Sequence, residues 1–409
     1  MNAGHRVQIG ALVLLDLLCL WIASSALRKA GLLTFAFGLA ALGLALRGLR
    51  RGDRRGLLFV SFFAVLAAAP IVGVESALHI RPQLLEGRVA NHTFGGYYTD
   101  RGGIYREDPH QGAALLPNRR RSMYWNGHWW LHETNADGYR GPRLSRADAV
   151  FLGDSMIYGH GVETPQAVPA QFERVSGLST ANLGQQGTCL VQASMRLEGF
   201  GARLHPRVVF VCSHPTDVRD AHFWYDEPEL VRYLESDDYR PTVRMEYHPD
   251  RPRTILDLWM KHVALPLRTG RALVAVLKPP RDARSVAPID TGRFVPPPDG
   301  DEPFDPGALD DPSGLGWRVH VQSLRRLKKQ CDAIGARLVT FDLGYPLPFS
   351  RAVEAAALEM GIEYDPAGRK VVEQARAGAE LYLRGDGHWN AEGAERIARE
   401  LALREARHP

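Results

Sequence analysis

Three long apolar runs open the chain. Ile9 to Leu27 is broken only by Asp16, Gly31 to Leu46 is a shorter second run, and Leu57 to Val74 is a third. A membrane-crossing helix needs about 20 apolar residues, with about 17 as the lower bound. The pattern therefore predicts a membrane anchor over residues 1–80 with three transmembrane helices, the middle one marginal in length. Arg47, Arg50, Arg51, Arg54 and Arg55 lie between the second and third runs, and such a cluster stays on the cytoplasmic side. With three spans the N-terminus is then cytoplasmic and everything after about His79 faces outward. A cleaved signal peptide is the competing reading, but Ile9–Leu27 is long for an h-region and two further runs would remain unexplained. Asp16, within a span, reads as a helix contact.

Beyond the anchor the pattern changes. Residues 81–147 are rich in Gly, Arg and aromatics, with the pairs Tyr97-Tyr98, Tyr124-Trp125 and Trp129-Trp130 and a turn signal at Asp137-Gly138. The aromatics read first as packing of a strand-like lead-in, and second as a platform for a sugar chain. From residue 148 short apolar runs alternate with helical periodicity. Strands are predicted at 149–152, at 179–182, at 207–212, at 337–341 and at 362–364; helices are predicted near 165–176, 190–203, 317–334, 350–360 and 391–404. This alternation argues for an α/β domain over 148–409, its parallel sheet covered by helices on both faces. An insertion at about 222–316 interrupts it. Within the insertion a helix is predicted over Ile255 to Leu277, and Pro279 to Pro312 has the Pro- and Asp-rich composition of a loop or linker.

A net charge of +4 changes little, because the arginine loop accounts for the excess and the other basic residues are mixed with acids. No basic stripe or RNA-binding motif is present, which argues against nucleic acid as a partner. Cys19 falls in a span; Cys189, Cys212 and Cys331 read as small buried hydrophobes, of which at least one has no partner. No Cys/His spacing resembles a zinc site, and no cofactor is expected.

The candidate chemistry lies in two separated motifs. Gly153-Asp154-Ser155 follows the apolar run Ala149-Val150-Phe151-Leu152, which places a serine where a strand gives way to a helix, and Asp386-Gly387-His388-Trp389 stands near the C-terminus. A serine hydroxyl is a poor nucleophile until a base lies within hydrogen-bond reach, itself oriented by a third group. Ser155, His388 and Asp386 fit those three roles. Between them, Asn182-Leu183-Gly184 and Ser213-His214-Pro215-Thr216-Asp217 each put small or polar residues after a buried-looking strand, where open parallel sheets collect their sites.

In this order the blocks resemble the SGNH, or GDSL, hydrolases, named for a serine, a glycine, an asparagine and a histidine. The resemblance covers residues 148–225 and 317–406. It implies a flavodoxin-like sheet, Ser155 as nucleophile, His388 as base, Asp386 as its orienting acid, and an oxyanion hole from the backbone N–H groups of Ser155 and Gly184. Thr216 stands where the family has its asparagine, so its hydroxyl is the expected third donor. The Asp-x-His-Trp form resembles that of membrane-anchored bacterial members acting on exported polysaccharides, and Thr134 to Gly141 resembles the lead-in that precedes their serine block. Asp154, Asn182 and Asp217 are expected to shape the motif loops, Trp389 to dock the histidine loop and Asn390 to cap the last helix. His160 and His214 read as substrate-binding residues or an alternative base, neither with an acid partner, and Asp217 and Asp220 as residues near the cleft.

These residues imply acyl transfer through Ser155. Water as acceptor gives an esterase that removes an acyl group, in particular acetyl, from a cell-envelope or exported glycan; a sugar hydroxyl gives an O-acyltransferase. The latter needs an activated donor outside the cell and hence a membrane acyltransferase partner, which favours hydrolysis. A non-catalytic glycan-binding scaffold is the third reading. The expected partners are thus an acylated glycan or small ester, and membrane lipid through the N-terminal helices, on the periplasmic or extracellular side of the inner membrane.

Overall fold

The computed structural model describes residues 104–244, 292–298 and 302–407. The apolar runs of residues 1–80 and the helix expected over Ile255–Leu277 lie outside the described residues. Among the described residues no helix is long and apolar enough to cross a membrane.

Two antiparallel hairpins come first: β1 (Tyr105–Asp108) with β2 (Gly112–Leu115), and β3 (Arg120–Trp125) with β4 (His128–Glu133). The second closes through Asn126 and Gly127, at φ of 45° and 89°, the two positive values that a tight hairpin turn requires and that an Asn-Gly pair adopts most readily. The main sheet follows, with β5 (Ala149–Leu152), β6 (Thr180–Asn182), β7 (Val208–Ser213), β8 (Arg337–Asp342) and β9 (Glu363–Asp365). All its ladders are parallel and the order is β6-β5-β7-β8-β9. That is the flavodoxin-like order, whose switch point falls between the first and third strands, here β5 and β7.

Side chains alternate across a strand, and the two faces of this sheet are both covered. Val150 and Leu152 of β5, Val209 and Val211 of β7 and Leu338 of β8 pack with α3 (Leu190–Gly199), α6 (Leu315–Ala333) and α7 (Leu347–Glu359). Ala149, Phe151, Val208, Phe210, Val339 and Phe341 face α2 (Val168–Ser176), α8 (Ala367–Arg376) and α9 (Ala391–Glu405). Strands buried on both faces carry continuous apolar runs, as Val208 to Cys212 does. The short α1 (Ser155–Tyr158) begins two residues after β5.

One helix falls within the expected interruption of 222–316 and another runs into its start. After β7 the chain forms α4 (Thr216–Trp224) and then α5 (Glu227–Glu235), which has Pro228 in its first turn and buries Leu230 and Tyr233. The Tyr233 hydroxyl meets Ser323 of α6 at 3.0 Å, and the Arg326 guanidinium lies 3.5 Å over the Tyr233 ring. Helix α5 therefore depends on α6, almost 90 residues later, a contact that local periodicity does not reveal. Helix α8 was likewise unanticipated. Its start is packed so closely that a Cβ at Gly368 would stand 1.9 Å from the Asp342 carbonyl oxygen. Cys189, Cys212 and Cys331 are all buried free thiols.

Phe210 is fully buried and packs its ring on Phe151 at 4.7 Å and Phe172 at 5.1 Å. Phe210→Ala is expected to destabilise the domain by about 3–5 kcal/mol through lost transfer energy and a cavity, read as a lowered urea midpoint with unchanged slope.

Candidate active site

The nucleophile turn is built from backbone constraints. Gly153 has φ of +152°, and a Cβ there would meet Ile157 at 2.7 Å and Cys212 at 3.2 Å, so only glycine lets the chain turn directly from β5 into α1. Asp154 Oδ1 accepts the Met156 N–H at 3.0 Å and caps the turn. Ser155 is the first residue of this helix, where the backbone N–H has no intrahelical acceptor. On the other side, the 383–388 loop is closed by the Leu383 N–H donating to the His388 carbonyl at 2.8 Å, beside the Tyr382–Trp389 bridge. Asn390 Oδ1 accepts the Gly393 N–H at 2.9 Å and starts α9.

These two loops bring Ser155, His388 and Asp386 together. Ser155 Oγ lies 2.7 Å from His388 Nε2. Asp386 Oδ1 contacts His388 Nδ1 and accepts the His388 backbone N–H at 2.9 Å. An ionised carboxylate only accepts, so Nδ1 carries the proton and Nε2 is left to take one from Ser155. Burial alone would lower the His388 pKa, but the Asp386 carboxylate outweighs it and raises the value above 6.5. Burial opposes ionisation of Asp386, yet the imidazole holds its carboxyl far below the usual carboxylate range.

A second imidazole backs the first. His160 is buried and stacks on His388 at 4.2 Å between centroids and 22° between planes, with Trp130 at 4.8 Å and Trp125 at 5.6 Å around it. Burial first, and the neighbouring His388 second, push its pKa well below 6.5. The ligating atoms of His160, Asp386 and His388 lie within 4.8 Å of one another, close enough for a metal ion. Both ring nitrogens of His388 are, however, already engaged with Asp386 and Ser155, and the chemistry of the set is that of a general base.

Two expected donors are differently placed. The Gly184 N–H donates to Asn182 Oδ1 at 2.9 Å, and a Cβ at Gly184 would fall 2.3 Å from Tyr158 N. Gly184 is therefore a packing glycine under α1, not an oxyanion donor, and Asn182 shapes its loop. The same loop turns at Gly187, exposed, at φ +63°, with nothing within 4 Å of a Cβ there and its carbonyl fixed by Trp224 Nε1 at 2.7 Å. The Thr216 hydroxyl is not free either, since it lies 2.7 Å from His214 Nδ1. The Thr216 backbone N–H also donates to that nitrogen at 3.0 Å. A nitrogen that accepts from an amide carries no proton, so His214 bears its hydrogen on Nε2. Asp217 Oδ2 accepts the His214 N–H at 2.9 Å and fixes the start of α4. Burial raises the Asp217 carboxyl well above its ordinary value and lifts Asp220 to about 6.

No family model and no curated protein matches the chain. Among solved structures, a GDSL-like lipase of Parabacteroides merdae aligns over 64% of this chain and 96% of its own at 10% identity and a TM-score of 0.31. Catalytic mutants of Axe2, an acetylxylan esterase of Geobacillus stearothermophilus, align over 64% of this chain and 95% of theirs, at 12% and 14% identity with TM-scores of 0.32.

Three contributors to the site were not read from the sequence. Arg140, 2% exposed, donates to the carbonyls of Tyr158 at 2.9 Å, Gly159 at 2.7 Å and Val162 at 2.9 Å, and so holds the segment that carries His160. Asn126, in the β3–β4 turn, donates to Asp386 Oδ2 at 2.9 Å; the Asn126-Gly127 pair between Trp125 and His128 was the available signal. Residues 292–298, from the stretch read as loop or linker, run against the histidine loop, where Gly292 O accepts the Gly385 N–H at 2.8 Å and Phe294 packs on Tyr382 at 5.1 Å.

His388 must be neutral to accept the serine proton, and its pKa is raised. Ester hydrolysis is therefore expected to be low in acid, to rise as pH passes a midpoint above 6.5, and to level off beyond it; a pH profile of kcat/KM for the free enzyme reads this midpoint.

Proposed function

We propose that this chain is an outward-facing, membrane-anchored serine esterase of the SGNH type that removes a short acyl group, most simply acetyl, from a cell-envelope or exported glycan. The observation that carries the reading is the hydrogen-bonded line from Ser155 Oγ through His388, 2.7 Å away, to Asp386. Ser155 Oγ attacks the ester carbonyl while His388 Nε2 takes its proton. The tetrahedral intermediate collapses, and the imidazolium returns the proton to the departing sugar oxygen. Water, deprotonated by the same nitrogen, then attacks the acyl-serine and releases the acid and free Ser155. The oxyanion is received at the start of α1 by the Ser155 N–H, with the His214 Nε2–H from the adjoining end of β7 as the further donor in place of Gly184 and Thr216.

A crevice walled by Met156, Val162, Val168 and Trp389 lies beside Ser155 and His388; the choice of acetyl rests on the resemblance of the Asp-x-His-Trp block and not on the size of this crevice. Membrane anchoring and the outward orientation rest on the apolar runs and the arginine loop of the sequence. A glycan substrate follows from that location together with the resemblance of the Asp-x-His-Trp block.

The test is hydrolysis of p-nitrophenyl acetate by the detergent-solubilised full chain. Ser155→Ala and His388→Ala are each expected to lower kcat by about 1,000-fold or more, and Ser155→Ala to abolish labelling by a fluorophosphonate. Equal rates in all three proteins would overturn the esterase reading. In the same assay His214→Ala is expected to lower kcat by about 100-fold, the size of a lost oxyanion donor. Thr216→Val, which removes only the hydroxyl beside Nδ1 and leaves the backbone donor, is expected to cost less.

A further inference from the structure

The β3–β4 hairpin precedes every motif that points to catalysis, yet its turn lies against the far end of the Ser155–His388–Asp386 line. Asp386 has two carboxylate oxygens. Oδ1 is committed to His388, to its ring Nδ1 and to its backbone N–H; Oδ2 accepts from Asn126 Nδ2 at 2.9 Å. An ionised carboxylate 7% exposed needs a donor on each oxygen to remain oriented, and here the second donor comes from 260 residues earlier in the chain.

The hairpin is fixed so that Asn126 can do this. His128, two residues on, has its Nε2 2.8 Å from the Arg384 carbonyl, just ahead of Asp386. Trp125 and Trp130 lie against His160, which stacks on His388. The Leu131 N–H donates to the Glu163 carboxylate at 3.1 Å, and Arg140 reaches the Leu131 carbonyl at 3.3 Å. One edge of the hairpin thus touches the acid's oxygen, the acid's own loop and the ring beneath the base.

We propose that Asn126 is a positioning residue for the acid of the catalytic line, so that the hairpin is part of the active site and not a spacer ahead of it. This inference rests on the esterase reading. Asn126 acts through Asp386: its amide fixes the rotation of the carboxylate, and the carboxylate fixes the tautomer and tilt of His388. The titratable groups that face His388 are Asp386 and His160 beside it, Asp154 from the turn after β5 and His214 from the end of β7. Asn126 itself does not titrate, so an effect of its neutral replacement on the His388 titration must pass through Asp386, whereas a carboxylate at this position adds a charge of its own.

Two substitutions separate this role from a merely structural one. Asn126→Gly removes the amide but suits the left-handed φ of 45°, so the turn and the thermal midpoint are expected to be retained. Its kcat is expected to fall about tenfold, the worth of one hydrogen bond to a charged group, with KM unchanged. Asn126→Asp keeps size and turn preference but sets a second carboxylate against Asp386. The added negative charge favours protonated His388, so the acid limb of the pH profile and the His388 imidazole resonance are expected to titrate about 1 pH unit higher. Both are measured on the full chain, with Ser155→Ala as the control. Wild-type kcat in both variants together with an unmoved His388 titration would overturn the assignment. Loss of the Ser155 dependence itself would overturn the esterase reading instead, and the His388 titration in Asn126→Gly, which needs no substrate and adds no charge, would still decide the role of Asn126: a shift supports it and an unmoved titration overturns it.

Discussion

Two buried guanidinium groups hold the backbone on either side of the nucleophile, and the geometry of the site depends on them. Arg140 binds the carbonyls that follow α1 and lies 4.7 Å over the Tyr158 ring. Arg196, 2% exposed, donates to the Gly153 carbonyl at 3.1 Å and to Thr188 Oγ1 at 3.1 Å. The sharp turn at Gly153 and the left-handed Gly159 and Gly161 leave carbonyls outside any helix or ladder, of which that of Gly153 also accepts the Gln185 N–H at 3.2 Å and that of Gly159 the Val162 N–H at 3.4 Å. A buried carbonyl without a donor costs on the order of 1–3 kcal/mol, and a fork of five N–H donors satisfies several at once. Arginine, which keeps its charge even when burial lowers its pKa, as it does for Arg196, can fill such a position where lysine would tend to lose its proton.

The consequence is a site assembled from both ends of the described chain. The sheet supplies the switch point between β5 and β7, and there Ser155 and His214 emerge side by side. The 383–388 loop supplies His388 and Asp386 from beyond the last strand. Between them stands the hairpin, anchored by Arg140 to the nucleophile turn and by Asn126 and His128 to the acid's loop. Phe294 and Gly292 close the remaining side of that loop. A triad split between two segments and backed by a third keeps its distances only if the segments are tied to one another, and here the ties are polar contacts made by the buried Arg140 and the part-buried Asn126 and His128.

Much of this was legible in the sequence because it is local. The strands could be read from apolar runs, and the Gly-Asp-Ser and Asp-x-His blocks from residue types whose pairing chemistry is limited. The two donors that were misplaced, Gly184 and Thr216, show where local reading stops. Asn182-Leu183-Gly184 has the composition of a donor loop, but which N–H stays free depends on Asn182 turning its own side chain back onto Gly184. Thr216 has a hydroxyl of the right kind, yet His214 two residues earlier takes it. Helix α5 and the Asn126 contact escaped for a different reason: Ser323 lies 90 residues from its partner Tyr233 and Asp386 lies 260 from Asn126, and nothing in a short sequence window encodes such a pairing.

Three imidazoles crowd this site, and their environments divide the work among them. His388 has the Asp386 carboxylate within hydrogen-bond reach and its pKa is raised; those of His160 and His214 are lowered, chiefly by burial. The nearest carboxylate to His214, that of Asp154, is 3.8 Å from Nδ1, too far to share a proton. At a pH where His388 works as a base, the other two are therefore neutral. Neutrality of His160 matters because it stacks directly on a ring that must become an imidazolium when Ser155 attacks, and a second cation at 4.2 Å would oppose that step. Neutrality of His214 matters differently. With Nδ1 occupied by Thr216, a neutral ring is an N–H donor of fixed direction that bears no charge to attract the carboxylate of a released product. On the proposed reading the same residue type serves as base, as neutral support and as dipolar donor, according to whether a carboxylate, an aromatic ring or a backbone amide lies against it.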